Sequence, residues 1–274
     1  MSRNIDAYEA NLPQRLEELR RGDPAYELHG DAICEGLVFA GELSAPLERP
    51  ERIVDVGCGL GFLTAKLAEI PWVQAVGIDP SKKAISLAGR EHSLPRFYRS
   101  SAESFSKIMK KFREPPFHHA VLNMVLHSTD DDQANTIIQG TRKLLQPEGT
   151  MLLVVPTQKW LIRKLIEVAK DKGMSQEEGV PWVHARLSQR SVELPVKIRG
   201  GKYWPKPITV FNRTLDDYAR LLQKNRFGIG VRSGVIGGPH VDEVVPYWEP
   251  KDYLNNYELV HRERSLLLSF ALPN

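Results

Sequence analysis

Ile53-Val54-Asp55-Val56-Gly57-Cys58-Gly59-Leu60-Gly61 joins a short β-branched run to an acid and three alternating glycines, and a helix-like pattern from Phe62 to Leu67 follows directly. This is a strand, a tight turn and a helix start. Glycines at such a junction admit positive φ and let a ligand approach the main chain, while the free N–H groups of the helix start offer an electropositive edge. A nucleotide-like ligand is expected there. A dinucleotide fingerprint, G-x-G-x-x-G/A, requires a small residue at position 62 for close helix-to-strand packing, and Phe62 does not supply it.

Four further segments follow in order. Val73 to Ile78 reads as a second strand ending in Asp79, with Ser81 capping a helix through Ala88. An acid at that strand tip, roughly 20 residues beyond the glycine loop, suits a ribose diol. It equally suits the start of the next helix, and the two roles are compatible. A short strand around Arg96 to Arg99 then leads into Ser100-Ser101-Ala102-Glu103-Ser104-Phe105, a helix cap with an acid in the first turn. Phe117 to Asp130 has the apolar centre of a buried strand, and Asn123 emerges at the same carboxyl edge as Asp55 and Asp79. Finally, Arg142 to Pro156 reads as a helix end, a Pro-x-Gly turn at Pro147-Glu148-Gly149 and a fully apolar strand.

Taken together, these segments resemble the class I S-adenosylmethionine (SAM) dependent methyltransferases, over roughly Glu51 to Thr157. The G-x-G-x-G loop with an acid two residues before it resembles the family's first motif. The resemblance implies SAM as cofactor, with Asp55 by its methionine end and Gly57, Gly59 and Gly61 letting it approach. Asp79 would then grip the ribose, Ala102 and Glu103 would edge the adenine, and Asn123 would lie at the fourth motif. Leu126-His127 matches the first half of a Leu-His-His pattern, with Ser128 in place of the second histidine. The implied fold is α/β: a Rossmann-like, seven-stranded, mostly parallel sheet with an antiparallel last strand and helices on both faces. Phe227 to Ile236 and Arg264 to Leu272 supply the final strands.

Outside the core, Pro13 to Leu19 and Asp31 to Gly41 have helical periodicity around Asp23 to Gly30. Residues 1–50 are read as an N-terminal helical lid, with Tyr26 facing the cofactor or packing. Residues 51–172 form the SAM-binding core, ending in a helix from about Gln158 to Lys172. A polar stretch follows, and then Val192 to Ile198 and Tyr203 to Phe211 alternate around Arg199-Gly200-Gly201, a hairpin signal. Residues 173–212 are therefore read as a substrate-side β-hairpin cap, and 213–274 as the C-terminal part of the core sheet. Trp160, Trp182, His184, Tyr203, Trp204 and Phe211 cluster in or near the cap, where they either sandwich a planar substrate or fasten the cap down. His184, Tyr203 and Trp204, together with Tyr26 of the lid, are the substrate-binding candidates.

A hydrophobic content of 42% with 26% charged residues is that of a soluble globular chain. No apolar signal core or membrane-length run appears, so a cytoplasmic protein without membrane or nucleic-acid partners is expected, monomeric or homodimeric. The net charge of +3 is spread among acids, and the basic run Lys107 to Arg113 reads as a solvated helix face. Cys34 and Cys58 make no metal-ligand set, no metal is expected, and Cys58 is read as packing. The expected function is methyl transfer to an O or N atom of a small-molecule acceptor, with His127 as base for a hydroxyl, or else only a satisfied histidine. Three alternatives stand beside it: SAM chemistry that does not move the methyl, an RNA or protein methyltransferase, and a SAM-binding regulator.

Overall fold

Strand β1 (Glu51–Val56) is covered on both faces, and every residue in it except Arg52 is buried, its charged Glu51 and Asp55 included. Alternation still assigns each side chain to a face. Val54 and Val56 enter one core with Ile78, Phe105, Leu122 and Ile138, whereas Ile53 joins Leu63, Leu67, Val121 and Leu152 on the other. Asp55 thereby falls on the Ile53 side, over the helix Phe62–Ala68. The computed structural model describes residues 2–21, 50–156, 158–196, 203–236 and 266–273.

Parallel neighbours flank β1: β2 (Val73–Asp79) on one side and β4 (Phe117–Asn123) on the other. Then β3 (Arg96–Arg99) pairs with β2, and β5 (Leu145–Pro156) with β4, also in parallel. Two hairpin strands, β6 (Ser191–Leu194) and β7 (Ile208–Phe211), stand apart as an antiparallel pair. Beyond β5, β9 (Leu266–Pro273) runs antiparallel between β5 and β8 (Phe227–Ile236), giving the order β3-β2-β1-β4-β5-β9-β8. The strand order reverses between β1 and β4, and the carboxyl edge at such a reversal opens a ligand crevice.

The N-terminal helix is longer than its periodicity suggested. It runs unbroken over Ser2–Arg20, through Pro13. A proline inside a helix frees the carbonyl four residues before it. Here Lys83 Nζ donates to that Glu9 carbonyl at 3.1 Å, which ties the helix to its neighbour Lys82–Glu91. Leu12, Leu60 and Ala84 are buried together beneath it. The pattern at 31–41 and Tyr26 lie outside the described residues.

After β5 the helix Gln158–Asp171 is followed, within the expected polar stretch, by a second helix, Gln176–Leu187. Its start is a capping box: Ser175 Oγ accepts from the Glu178 N–H at 3.3 Å, and the Glu178 carboxylate accepts from the Ser175 N–H at 3.0 Å. Leu161, Leu165, Val183, Val192, Leu194 and Val210 form a separate small core from these two helices and the hairpin. Both hairpin strands are shorter than their alternation implied. Pro195 closes β6, and Pro205 and Pro207 precede β7; none of the three can donate to a ladder.

Candidate functional site

Gly57 and Gly59 both have positive φ, 78° and 56°, and both are crowded where a side chain would begin. A Cβ on Gly57 would lie 2.6 Å from Val125 Cγ2, and one on Gly59 would lie 2.2 Å from the Tyr8 hydroxyl. Gly57 and Cys58 donate to the Ile78 carbonyl at 2.8 and 3.1 Å, so the loop is fastened to the tip of β2. Gly61 completes it, donating to the Cys58 carbonyl at 2.9 Å. Burial pushes the Cys58 thiol well up, so it is an inert packing group.

Two buried acids define the crevice wall. Asp55 accepts from Thr64 Oγ1 at 2.7 Å, but burial, with Asp79 nearby, pushes its carboxyl up to about 7. Asp79 accepts from the Gly59 N–H at 3.1 Å and from the Ser81 N–H at 2.8 Å, and burial raises it too. Asp79 thus links the strand tip, the glycine loop and the next helix at once. Ser81 caps that helix by accepting from Ala84 N–H at 3.0 Å, and its own hydroxyl donates to Glu9 of the N-terminal helix at 2.6 Å.

Tyr8, Asn11, Leu12 and Arg15 form one face of that helix, and this face meets the crevice. The Arg15 guanidinium lies over the Tyr8 ring at 5.1 Å and over the Trp204 ring at 5.3 Å. Asn11 is fully buried; its amide donates to the Lys206 carbonyl at 3.0 Å and accepts from the Lys206 N–H at 3.1 Å. Helix and hairpin connection are therefore joined to each other beside the glycine loop. Sequence reasoning missed Tyr8, Asn11 and Arg15, although the i, i+3, i+4, i+7 spacing from Tyr8 was there to be read.

Across the sheet edge, β4 ends at Asn123, whose Oδ1 is buried without a hydrogen-bond partner. Met124 follows at φ 56°, an uncommon backbone state for a side-chain-bearing residue. The next turn carries His127, which is buried with its ring edge-on to Trp160 at 6.5 Å. Arg213 holds this turn in place. It donates to the Leu126 and Thr129 carbonyls, both at 2.6 Å, and to Asp131 at 2.8 Å. His127 is the residue expected to act as a base. Burial first, then the positive charges of Arg15 and Arg213, push the His127 imidazole down to about 4.

The remaining candidates divide. Ala102 is buried at the start of the helix Ala102–Phe112, but Glu103 points to solvent and pairs with Lys107 at 2.8 Å, as a first-turn acid does. Among the cap residues, Trp204 joins the cluster through Arg15. Tyr203 is exposed and donates its hydroxyl to Asp171, a bond that pushes its pKa up to about 12. His184 stands exposed on its helix. Among the described residues no group of metal-ligating side chains comes together, and no helix is long and apolar enough to cross a membrane.

Residues 29–193 match the family model of a methyltransferase domain. The chain is 30% identical over 115 residues to a ubiquinone biosynthesis O-methyltransferase of Bartonella tribocorum, covering 40% of this chain and 42% of that protein. It is 26% identical over 112 residues to a demethylmenaquinone methyltransferase of Chlorobaculum parvum, with the same coverage of 40% and 42%. The matched segment thus spans about two-fifths of these curated relatives. Among solved structures, a SAM-dependent methyltransferase from Clostridium acetobutylicum superposes with a TM-score of 0.57 at 12% identity, over 96% of this chain and 97% of that one. The magnesium protoporphyrin IX methyltransferase of Synechocystis, with bound S-adenosylhomocysteine, gives 0.53 at 16% identity, over 91% and 84%. At these identities the likeness is one of fold.

Proposed function

This chain belongs to the methyltransferase-domain family, as a class I SAM-dependent member, and from that premise we propose that it methylates an O or N atom of a small planar acceptor. One observation carries the reading. The crevice at the strand-order reversal has two chemically different sides, a wall of buried acids and an aromatic, cationic side closed by the N-terminal helix and the hairpin connection.

The acid wall suits SAM. Burial opposes the ionisation of Asp55 and Asp79, and a ligand that brings positive charge offsets that cost. Asp79, fixed by two backbone N–H groups, keeps further acceptor capacity on each oxygen for a ribose diol. At Gly57 and Gly59 the missing Cβ lets Val125 and the Tyr8 hydroxyl close on the loop, and the Asn123 Oδ1 offers an unused acceptor at the same edge. When bound, SAM supplies a methyl group on a sulfonium that is its own leaving group. The protein's share is to orient both reactants and to exclude water. Glu103 is assigned to the adenine side through the position of its segment, not through its side-chain pairing with Lys107.

The helix Ser2–Arg20 and the segment around Lys206 act as lid and cap, with Trp160 and Trp204 as flat walls for the acceptor. The quinone-pathway names of the two curated relatives support a small acceptor of that shape.

Calorimetric titration with S-adenosylhomocysteine tests the cofactor half. The wild type should bind, and Asp79→Ala should bind about tenfold to a hundredfold more weakly, the usual loss of a charged hydrogen-bond acceptor. Equal affinities would remove Asp79 from the site. Incubation of the protein with SAM and a cell extract, followed by mass spectrometry, tests the chemistry. S-adenosylhomocysteine as product supports methyl transfer, and methylthioadenosine would replace it with chemistry at another carbon.

A further inference from the structure

Along one edge of the sheet, large apolar side chains stand in solvent among positive charges. Strand β3 is terminal in the sheet order, and among the described residues it pairs with β2 alone. Its Tyr98 ring packs against Phe105 of the helix Ala102–Phe112 at 5.2 Å, so strand edge and helix form one surface. Phe105, Ile108 and Phe112 are spaced i, i+3, i+7 and share a side of that helix. Phe105 is buried, but Ile108 and Phe112 carry the stripe out of the core, 44% and 66% exposed. Leu94, just before β3, is 73% exposed, and Tyr98 is 39% exposed. Single exposed apolar residues are ordinary; four along one edge mark an interaction surface.

The charge around them is one-sided. Between Leu94 and Arg113 stand Arg96, Arg99, Lys107, Lys110, Lys111 and Arg113, all exposed, against the single acid Glu103, which pairs with Lys107 at 2.8 Å. The bordering acids are engaged as well, Glu91 with Arg20 and Glu114 with Arg52. Lys111 lies over the Phe112 ring at 5.7 Å, which sets a charge and an apolar group side by side. The whole chain carries only +3, so this excess is local.

A second copy of the chain fits poorly, because a symmetric interface would press this basic edge against itself. Single-stranded nucleic acid binds by stacking its bases on aromatic rings, and Leu94 and Ile108 offer none. A bilayer with anionic headgroups answers both features: its phosphates meet the cations while the apolar side chains enter the interface beneath them. We propose that this edge, with Leu94, Tyr98, Ile108 and Phe112 inside their basic surround, docks the protein on an anionic lipid surface. The contact is peripheral, since no helix among the described residues is long and apolar enough to cross a membrane. The expectation of no membrane partner came from apolar runs, which detect spanning segments and not a surface assembled from a loop, a strand and a helix. None of the four side chains is assigned to cofactor or acceptor, so the docking stands or falls apart from methyl transfer.

Co-sedimentation of the full chain with phosphatidylcholine–phosphatidylglycerol vesicles, without SAM, tests this. Binding should be roughly tenfold or more tighter than to phosphatidylcholine alone, and it should fall with added salt. Ile108→Ser combined with Phe112→Ser should weaken it by about tenfold or more with every charge in place. Lys110→Gln combined with Lys111→Gln should also weaken it and flatten its salt dependence. Both pairs alter exposed side chains, and unchanged circular dichroism and Tm verify that the fold is kept. No binding to the anionic vesicles, equal binding to neutral ones, or binding that survives Ile108→Ser with Phe112→Ser would overturn the proposal. So would dimerisation in solution that the same pair abolishes, or tighter binding to a single-stranded RNA oligomer than to the vesicles.

Discussion

His127 shows why a residue type in the right place does not fix its chemistry. A histidine after an active-edge strand reads as a base, but what surrounds it comes from Arg15 and Arg213, 112 positions before it in one case and 86 after it in the other, by their sequence numbers. Its effect on stability has a definite sign. In the unfolded chain the imidazole takes its proton near 6.5, in the folded one near about 4, so between these values the unfolded state binds more protons. The contribution is fully present above 6.5 and is lost as pH falls towards 4, by on the order of 3 kcal/mol. Asp55 acts in the opposite sense: its carboxyl, raised to about 7, is protonated first in the folded state, so its burial cost is relieved on acidification. The measurement is therefore a difference. Urea unfolding at neutral pH and near the lower end of this window should show wild type losing more stability on acidification than His127→Gln. Equal losses would mean that His127 is not held neutral.

At the scale of elements, the strands and helices of the core were legible because each is a local pattern. Arg96 to Arg99 was found at its own bounds, and Ser81 and Ser101 cap the helices that they precede. The misreadings have local chemical causes. Pro13 looked like a helix start because its missing N–H is tolerated there, yet Lys83 allows it to sit in a helix interior. Ser175-Gln176-Glu177-Glu178 is a capping-box sequence inside a stretch read only as polar. What no local pattern reveals is the join between Asn11 and Lys206, residues 195 apart. Two hydrogen bonds from a fully buried amide make it the fastening of the N-terminal helix to the hairpin connection. Asn11→Ala leaves both Lys206 backbone groups without that partner and should cost about 1–3 kcal/mol. Hydrogen exchange should accelerate at the Lys206 amide and along Ser2–Arg20, with the β1 and β4 amides unchanged. A uniform acceleration through the sheet would mean that Asn11 supports the whole fold and not this fastening.

For the whole molecule, the division between what the sequence made legible and what it hid follows the two sides of the crevice. Asp55, Gly57, Gly59 and Asp79 come from two consecutive strand tips, so motif spacing exposes them. The side proposed for the acceptor draws on Tyr8, Arg15, His127, Trp160, Trp204 and Arg213, spread from residue 8 to residue 213. The N-terminal helix touches both sides, through Ser81 and the glycine loop on one and through Trp204 and Lys206 on the other. Binding at the acid wall should therefore be felt beyond it. S-adenosylhomocysteine at a hundred times its dissociation constant should stabilise the folded chain by about 2.7 kcal/mol, visible as a rise in Tm. If helix, loop and hairpin connection close as one body, exchange should slow together at the Gly59 amide, along Ser2–Arg20 and at the Trp204 amide that bonds Val196. Protection confined to residues 57–61 and 79–81 would show instead that the cofactor side closes alone, and the covers over the acceptor would then have to be set by the acceptor itself.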